Sequence, residues 1–122
     1  MPGSYTAFMG VSADHFVHAE TGRFVVLTCN VEPDRETGGY VSRCPALGVA
    51  SQGDTVEEAE ENIREAVSLY LSAIDEDGEL EQIFAGRGLK VAYLEGDSRP
   101  LRGRTADGGH QITEPFPIKR AA

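Results

Sequence analysis

The sequence predicts an α+β fold in which one long amphipathic helix packs on a small antiparallel or mixed sheet of three to four strands. Apolar residues recur at spacings of three and four between residues 55 and 74, the period of a helix with one buried face. Runs rich in β-branched and aromatic residues precede this segment, and turn-forming residues separate them. The expected order is strand, strand, strand, helix, strand, because a helix laid across a sheet buries its apolar residues and leaves its acids in water.

Three strands are predicted before the helix. Residues 23–31, RFVVLTCNV, and the shorter run 39–44, GYVSRC, are rich in strand-favouring side chains. The PDRETG segment between them has the composition of a turn, so an antiparallel hairpin is the simplest connection. Pro45 ends the second strand or restricts it to an edge, and residues 47–52 are predicted to form the third.

The long helix is predicted to begin at about Thr55 or Val56. Thr55 and Glu58 form a capping box, in which the threonine hydroxyl accepts a hydrogen bond from the Glu58 amide. The buried face of the helix consists of seven apolar residues: Ala59, Ile63, Ala66, Val67, Tyr70, Leu71 and Ile74. Acidic residues and Gly78 end this helix, a short helix over residues 79–85 follows, and residues 89–95 are predicted to form a last strand.

The chain is strongly acidic, and its charge is unevenly distributed. Twenty acidic and 11 basic residues give a net charge of −9, which repels phosphate backbones and favours a basic protein partner over DNA or RNA. Residues 54–81 contain a single basic residue, Arg64, and eleven acidic residues: Asp54, Glu57, Glu58, Glu60, Glu61, Glu65, Asp75, Glu76, Asp77, Glu79 and Glu81. No direct binding to DNA is therefore expected.

The length of 122 residues suits one domain with tails. We expect an N-terminal tail over residues 1–22 with a possible short strand at 14–19, a folded domain over 23–96, and a flexible tail over 97–122, which is rich in Gly and Pro. Arg99, Arg102 and Arg104 are expected to be solvated in that last tail. The sequence has neither a long apolar run nor a secretory leader, so a cytoplasmic protein without membrane contact is expected.

The sequence shows no recognisable catalytic or metal-binding pattern. Cys29 and Cys44 are too few for a disulfide framework and are interpreted as reduced thiols on strands, where they act as small apolar side chains. His15, His18 and His110 do not match the spacing of metal ligands. We therefore name no catalytic residue, no metal ligand and no cofactor.

Residues 38–71, GGYVSRCPALGVASQGDTVEEAEENIREAVSLYL, contain a specific pattern: a strand, a Pro-containing link and a Gly-Asp-Thr helix start, followed by Glu-Glu-Ala and an Asn. This pattern resembles that of the HicB family of bacterial antitoxins. The matching positions are Tyr40, Pro45, Leu47, Gly53, Asp54, Thr55, Glu58, Ala59, Asn62 and Ala66. With the flanking strands the resemblance covers about residues 24–95, and it implies a partial RNase H-like α+β domain.

The resemblance also implies a role as an antitoxin, which neutralises a small, basic, mRNA-cleaving toxin of the HicA type by binding it directly. Many members of the family carry a C-terminal DNA-binding domain of the helix-turn-helix or ribbon-helix-helix type. Residues 98–122 contain three prolines and Gly-rich breaks but no apolar stripe of helical period, so they are predicted not to form either module. Repression of its own operon is therefore not implied for this chain.

The outer face of the long helix is the candidate contact surface for the toxin. Its acidic residues would attract a basic partner, although a charged helix face is often only a solvated surface. The predicted contact residues are Glu57, Glu58, Glu61 and Glu65. Structural roles at the strand-to-helix connection are assigned to Pro45, Gly53, Thr55, Glu58, Ala59 and Asn62.

Two alternatives to the antitoxin remain at this point. An RNase H-like fold suggests a nuclease, but the helix acids point away from the sheet and would not converge on two divalent ions, so the chain is predicted not to be an enzyme. The other alternative is an orphan domain of the same fold that serves as a homo-oligomeric scaffold or small-molecule binder without a toxin. Because an exposed strand edge can pair with a second copy, a dimer or tetramer is expected in either case.

Overall fold

The computed structural model describes residues 22–94, 100–105 and 108–119, which form two helices and one antiparallel sheet of six strands. In chain order the elements are β1 Gly22–Pro33, β2 Tyr40–Cys44, β3 Val49–Gly53, α1 Val56–Glu76, α2 Leu80–Arg87, β4 Ala92–Leu94, β5 Leu101–Arg104 and β6 His110–Pro117. The strand order across the sheet is β3-β2-β1-β6-β5, and β4 pairs with the first residues of β1. The predicted α+β class is confirmed, but the sheet has more strands than the three to four expected.

Buried and more exposed residues alternate along much of the 12-residue central strand β1. Val25, Leu27, Cys29 and Val31 are buried on the face that carries the helices, whereas Val26 on the opposite face is exposed. β1 pairs with β2 and β4 along one edge and with β6 along the other. A strand with neighbours on both sides and buried residues on one face can hold the core together.

The predicted hairpin between β1 and β2 is confirmed. Its turn is closed by two backbone hydrogen bonds, from the Asp34 amide to the Gly39 carbonyl at 2.8 Å and from the Gly38 amide to the Asp34 carbonyl at 2.9 Å. Gly38 has a φ of 81°, a conformation that a residue with a Cβ rarely adopts. The β2–β3 hairpin then leads the chain to the start of α1.

Helix α1 begins as its sequence predicts. The hydroxyl of Thr55 accepts from the Glu58 amide at 3.0 Å, and the carboxylate of Glu58 accepts from the Asp54 amide at 2.6 Å, one residue earlier than in the usual capping box. The helix buries one row of five apolar residues: Ala59, Ile63, Val67, Leu71 and Ile74. This row, named here the buried row, packs against the helix-facing side of the sheet.

The short second helix is also confirmed. Residues 79–85 were expected to be helical, and α2 runs over Leu80–Arg87 with Leu80 and Phe84 buried in the core. Gly88 ends it in the left-handed conformation at a φ of 70°. The strand expected at residues 89–95 is only the three residues of β4.

The structure corrects the prediction that residues 97–122 are a flexible tail beyond the domain. The described residues of this stretch form β5 and β6, and β6 pairs with β1 over eight residue pairs from Phe24 to Val31. Ile112, Phe116 and Ile118 are buried. The last strands are therefore part of the same sheet, and β6 is one of its central members.

Prolines misled the prediction for β6. Pro115 and Pro117 suggested a broken segment, yet both lie within the strand. The amide of Ile118 donates to the Arg23 carbonyl of β1, so the alternating positions 115 and 117 face away from β1. β5 pairs with β6 only as far as Thr113. Both prolines therefore lie beyond the end of β5, and their missing N–H groups interrupt no ladder between the described strands.

The possible strand at residues 14–19 and the rest of the predicted N-terminal tail, up to residue 21, lie outside the described residues.

Gly53 allows the closest approach between the sheet and α1. A Cβ at this position would lie 2.5 Å from the backbone nitrogen of Ala59 and 2.9 Å from the carbonyl carbon of Glu58. We predict that Gly53→Ala lowers the free energy of unfolding by about 2 to 3 kcal/mol, because the backbone of α1 must move. Urea unfolding measures this change. Gly103→Ala is the control, since its Cβ meets nothing within 4 Å, and equal stability of the two variants would contradict the packing described here.

Phe116 tests whether β6 belongs to the core. Its ring is buried against the helix-facing side of the sheet, so Phe116→Ala is expected to lower the free energy of unfolding by about 3 to 5 kcal/mol. Gln111→Ala, at an exposed position of the same strand, should change it by less than about 0.5 kcal/mol. If Phe116→Ala were as stable as the parent chain, β6 would not contribute to the core and this segment would be a tail, as the sequence predicted.

Candidate functional site

The four predicted contact residues all lie on the solvent side of α1. Glu57, Glu58, Glu61 and Glu65, named here the acidic stripe, are exposed, and Glu61 and Glu65 lie opposite the buried row. Glu58 also stabilises the start of the helix, because its carboxylate accepts a hydrogen bond from the Asp54 amide. The other three carboxylates have no hydrogen-bond role in holding the fold among the described contacts. The stripe is therefore a continuous negative surface that the helix presents outward.

An exposed leucine continues the acidic stripe. Leu69 follows Glu65 by four residues, one turn further along α1, and 66% of its surface is accessible. Leu69 was not predicted as a contact residue because it lies outside the spacing of the buried face. An apolar residue outside the helical spacing of the buried face is expected to be exposed, and this was the sequence signal for Leu69. A leucine beside a row of carboxylates can supply apolar contact to a partner that the charges attract.

The β3 side of α1 is fixed by the residues of the strand-to-helix connection. Gly53 lies against the backbone of Ala59, and the Asn62 side-chain amide donates to the Gln52 carbonyl at 2.7 Å. Thr55 is the N-cap, as described above. Pro45, by contrast, is exposed in the turn that follows β2 and lies away from the connection.

The opposite side of α1 is fixed to the C-terminal strands. The guanidinium Nε of Arg64 donates to Glu114 of β6 at 2.7 Å, and the Ser72 hydroxyl donates to the Lys119 carbonyl at 2.6 Å. Nη1 of Arg102, on β5, lies 3.0 Å from the nearer carboxylate oxygen of Glu60. With both sides of the helix held in this way, its remaining face, the acidic stripe, has a fixed orientation.

Two of the eleven acids do not lie on the outer face, which corrects the expectation that the helix acids are solvated. Glu60 and Asp75 are buried, and each faces an arginine. Arg23 donates two hydrogen bonds to Asp75, at 2.9 and 3.2 Å, and this contact raises the pKa of Arg23 above its usual range. Arg102 was expected to be solvated and instead compensates the charge of Glu60. The other nine acids are exposed.

The exposed acids are spread along helix surfaces and do not converge. Within the described ranges there is no group of three or more His, Cys, Asp or Glu side chains that could hold a metal ion. A groove of about 620 Å³ lies between α1 and α2 and has a mixed lining: Tyr70, Glu79, Gln82, Ile83, Gly86 and Arg87. Neither described helix is long and apolar enough to cross a membrane.

Comparison with known proteins gives one local relationship. A segment of 38 residues is 55% identical to the UPF0150 protein ssr1765 of Synechocystis, which corresponds to 30% of this chain and 48% of that protein. The match thus spans about half the length of the curated relative. No family profile matches the chain, and no solved structure matches it.

The pair formed by Arg102 and Glu60 can be tested by a double-mutant cycle. Arg102→Gln leaves a buried carboxylate without its cation, so we expect it to lower the free energy of unfolding by about 1 to 2 kcal/mol. Adding Glu60→Gln should recover part of this loss, because the charge that needed compensation is gone. Arg104→Gln, at an exposed position of the same strand, is the control and should have little effect. Strict additivity of the two changes at 60 and 102 would show that the side chains do not interact.

Proposed function

We propose that this protein is a non-enzymatic, HicB-like antitoxin that neutralises a small basic toxin of the HicA type by direct binding. The observation that carries the proposal is the acidic stripe: the segment with the HicB-like pattern folds into a strand, a turn and a helix whose outward face is negatively charged. The local identity of 38 residues with a UPF0150 protein adds a loose link to that group.

Electrostatic reasoning connects this surface to such a partner. A toxin that cleaves mRNA must expose a positive surface to bind phosphates, and a surface of that sign is attracted by the acidic stripe. Opposite potentials accelerate encounter, whereas apolar contacts at the centre of an interface slow dissociation. In this proposal the stripe attracts the toxin and Leu69 supplies the apolar contact, so bound toxin can no longer reach RNA.

The proposal is tested by inhibition of RNA cleavage. A toxin encoded beside this protein, or a HicA-type toxin from the same genome, is purified and titrated with it while cleavage is followed. Inhibition that is complete near equimolar amounts is expected. Cleavage that continues at large molar excess of this protein would contradict the antitoxin function. The absence of a short basic neighbouring reading frame would favour the orphan domain instead.

Charge reversal tests the acidic stripe. Glu61→Lys with Glu65→Lys should lower the association rate constant for the toxin about tenfold or more at low salt, and the difference should shrink as salt increases. The control has the same change in net charge at the exposed Glu76 and Asp77, where lysines also suit the helix C-terminus. Stopped-flow or surface-binding kinetics measure both variants. An equal effect of the two pairs would indicate that net charge acts without a defined contact surface.

Leu69 tests the apolar contact separately. Leu69→Ser should raise the dissociation rate constant about tenfold, because the bound complex loses an apolar contact. The association rate constant should change little, since the charges of the acidic stripe are unchanged. Val26→Ser is the matched control, since Val26 is 50% exposed on the opposite face of the sheet. A larger increase in the dissociation rate constant for Val26→Ser than for Leu69→Ser would indicate that the toxin binds the sheet and not α1.

A second candidate function, a homo-oligomeric scaffold, is favoured by the sheet face opposite the helices. Val26 and Leu101 lie on this face and are 50% and 72% exposed. Thr28 and Thr113, which lie between them, share a hydrogen bond of 2.8 Å, so their hydroxyl groups are paired with each other and the face is partly apolar where β1 meets β6. Light scattering tests this function: a dimer or tetramer that dissociates when Val26 and Leu101 are changed to serine supports it, and a monomer at high concentration contradicts it.

A further inference from the structure

Cys29 and Cys44 face each other across neighbouring strands. The β1–β2 ladder pairs Val31 with Ser42 and Asn30 with Arg43, so the next step along the ladder places Cys29 opposite Cys44. Both side chains point to the helix-facing side of the sheet, where they are 3% and 0% exposed. The sequence analysis placed both thiols on strands but did not pair them. The loop length of the hairpin was the signal that could have fixed this register.

The two thiols are in contact and are not equivalent. A hydrogen bond joins their side chains, and it lowers the pKa of Cys44 while it raises the pKa of Cys29. Burial opposes ionisation of both, but the backbone N–H groups of Leu47 and Ala46 also lower the pKa of Cys44. Those amides belong to the turn after β2. Cys44 is therefore the thiol that loses its proton first, and Cys29 is its hydrogen-bond donor.

The strand geometry suits a covalent bond between these sulfurs. Directly opposed residues in an antiparallel ladder have Cα atoms about 4.5 or 5.5 Å apart, and disulfides span about 4.4 to 6.8 Å. Their Cβ atoms are about 4.5 to 5.5 Å apart in an ordinary strand pair, slightly more than most disulfides have. A bridge at this position would draw the two strands together and be easier to reduce than a structural disulfide.

We propose that Cys29 and Cys44 are a reversible two-electron redox site, at which hydrogen peroxide forms an intramolecular disulfide and two molecules of a small thiol, themselves oxidised to a disulfide, reduce it again. The thiolate of Cys44 attacks the peroxide oxygen, giving a sulfenic acid and, with one proton, water. The sulfur of Cys29 then attacks the Cys44 sulfur, its proton leaves with the hydroxyl group as a second water, and the S–S bond forms. Two thiols and one peroxide thus yield one disulfide and two waters.

Access to the pair comes through the edge of the sheet. Cys44 is the last residue of β2, and β2 is paired on its outer side only with the five residues of β3. The cover over this end consists of the short turn at residues 45–48, which is linked to α2 by a hydrogen bond of 3.3 Å from Arg87 to the Ala46 carbonyl. A short edge hairpin and a single-turn cover open locally more easily than the central strands do. Hydrogen peroxide is small enough to use such openings.

The test treats the folded protein with hydrogen peroxide and counts free thiols after denaturation and alkylation. We expect an intramolecular disulfide between Cys29 and Cys44, identified by the loss of two hydrogen atoms and by peptide mapping, and full recovery of both thiols with dithiothreitol. The reaction should proceed at lower pH than that of N-acetylcysteine in a parallel tube, since Cys44 ionises more readily than an ordinary thiol. Two free thiols after the reference thiol is fully oxidised would overturn the proposal, and so would bridges between chains only.

Two variants separate the roles of the thiols. In Cys29→Ser no bridge can form, so a sulfenic acid should accumulate at Cys44 and be trapped by dimedone. The serine hydroxyl still donates to the Cys44 sulfur, whereas Cys29→Ala removes that donor, and trapping by the alanine variant should therefore need higher pH. Circular dichroism verifies that both variants fold. Identical pH profiles would show that Cys29 does not activate Cys44, and trapping at Cys29 in Cys44→Ser at an equal rate would contradict the assignment of the attacking thiol.

Discussion

Five apolar side chains of α1, spaced by three and four residues, lie on the helix-facing side of the sheet, and the orientation of the polar and charged side chains of α1 follows from this contact. Because the buried row faces the sheet, Glu61 and Glu65 on the far side of the helix must face solvent. The same contact turns Glu60 and Arg64 toward the C-terminal strands and Asn62 toward β3. Burial of five such side chains is also among the largest stabilising contributions available to a domain of this size.

The C-terminal strands β5 and β6 add core residues to the sheet and side chains that pair with α1. β6 supplies Ile112 and Phe116 to the core and Glu114 to Arg64, while β5 supplies the arginine that faces the buried Glu60. An acidic helix would otherwise repel itself and its neighbours. Cations from distant parts of the chain lie against the two acids that the packing buries, whereas the other nine acids are exposed. The fold thereby concentrates negative potential on one surface.

The sequence predicted those elements whose signals are local. The helical spacing of the buried row, the capping box at Thr55 and the turn residues before Gly39 each act over a few neighbours, so α1 and the first hairpin were found nearly to the residue. The strands β5 and β6 were missed because β6 is ordered by pairing with β1, about 80 to 90 residues earlier, and β5 in turn pairs with β6; no local pattern records the pairing with β1. Prolines strengthened the error, since their effect depends on which edge they face.

The candidate site divides in the same way. The acidic stripe could be predicted because residues on one helix face follow from spacing alone. The arginine partners of Glu60 and Asp75 could not be predicted. The sequence around a helical acidic residue is the same whether or not an arginine from a distant strand pairs with it. The contact between Cys29 and Cys44 depends on strand register, which the hairpin fixes but the composition of the strands does not reveal.

We propose that the outer face of α1 binds a basic protein while its opposite face packs on the sheet. Amide chemical shifts of this protein, measured by NMR as a cognate toxin is added, test this proposal most directly. We expect the largest changes along α1, at Glu61, Glu65 and Leu69, with the sheet face around Val26 and Leu101 little affected. Changes centred on that sheet face, with α1 unaffected, would contradict it.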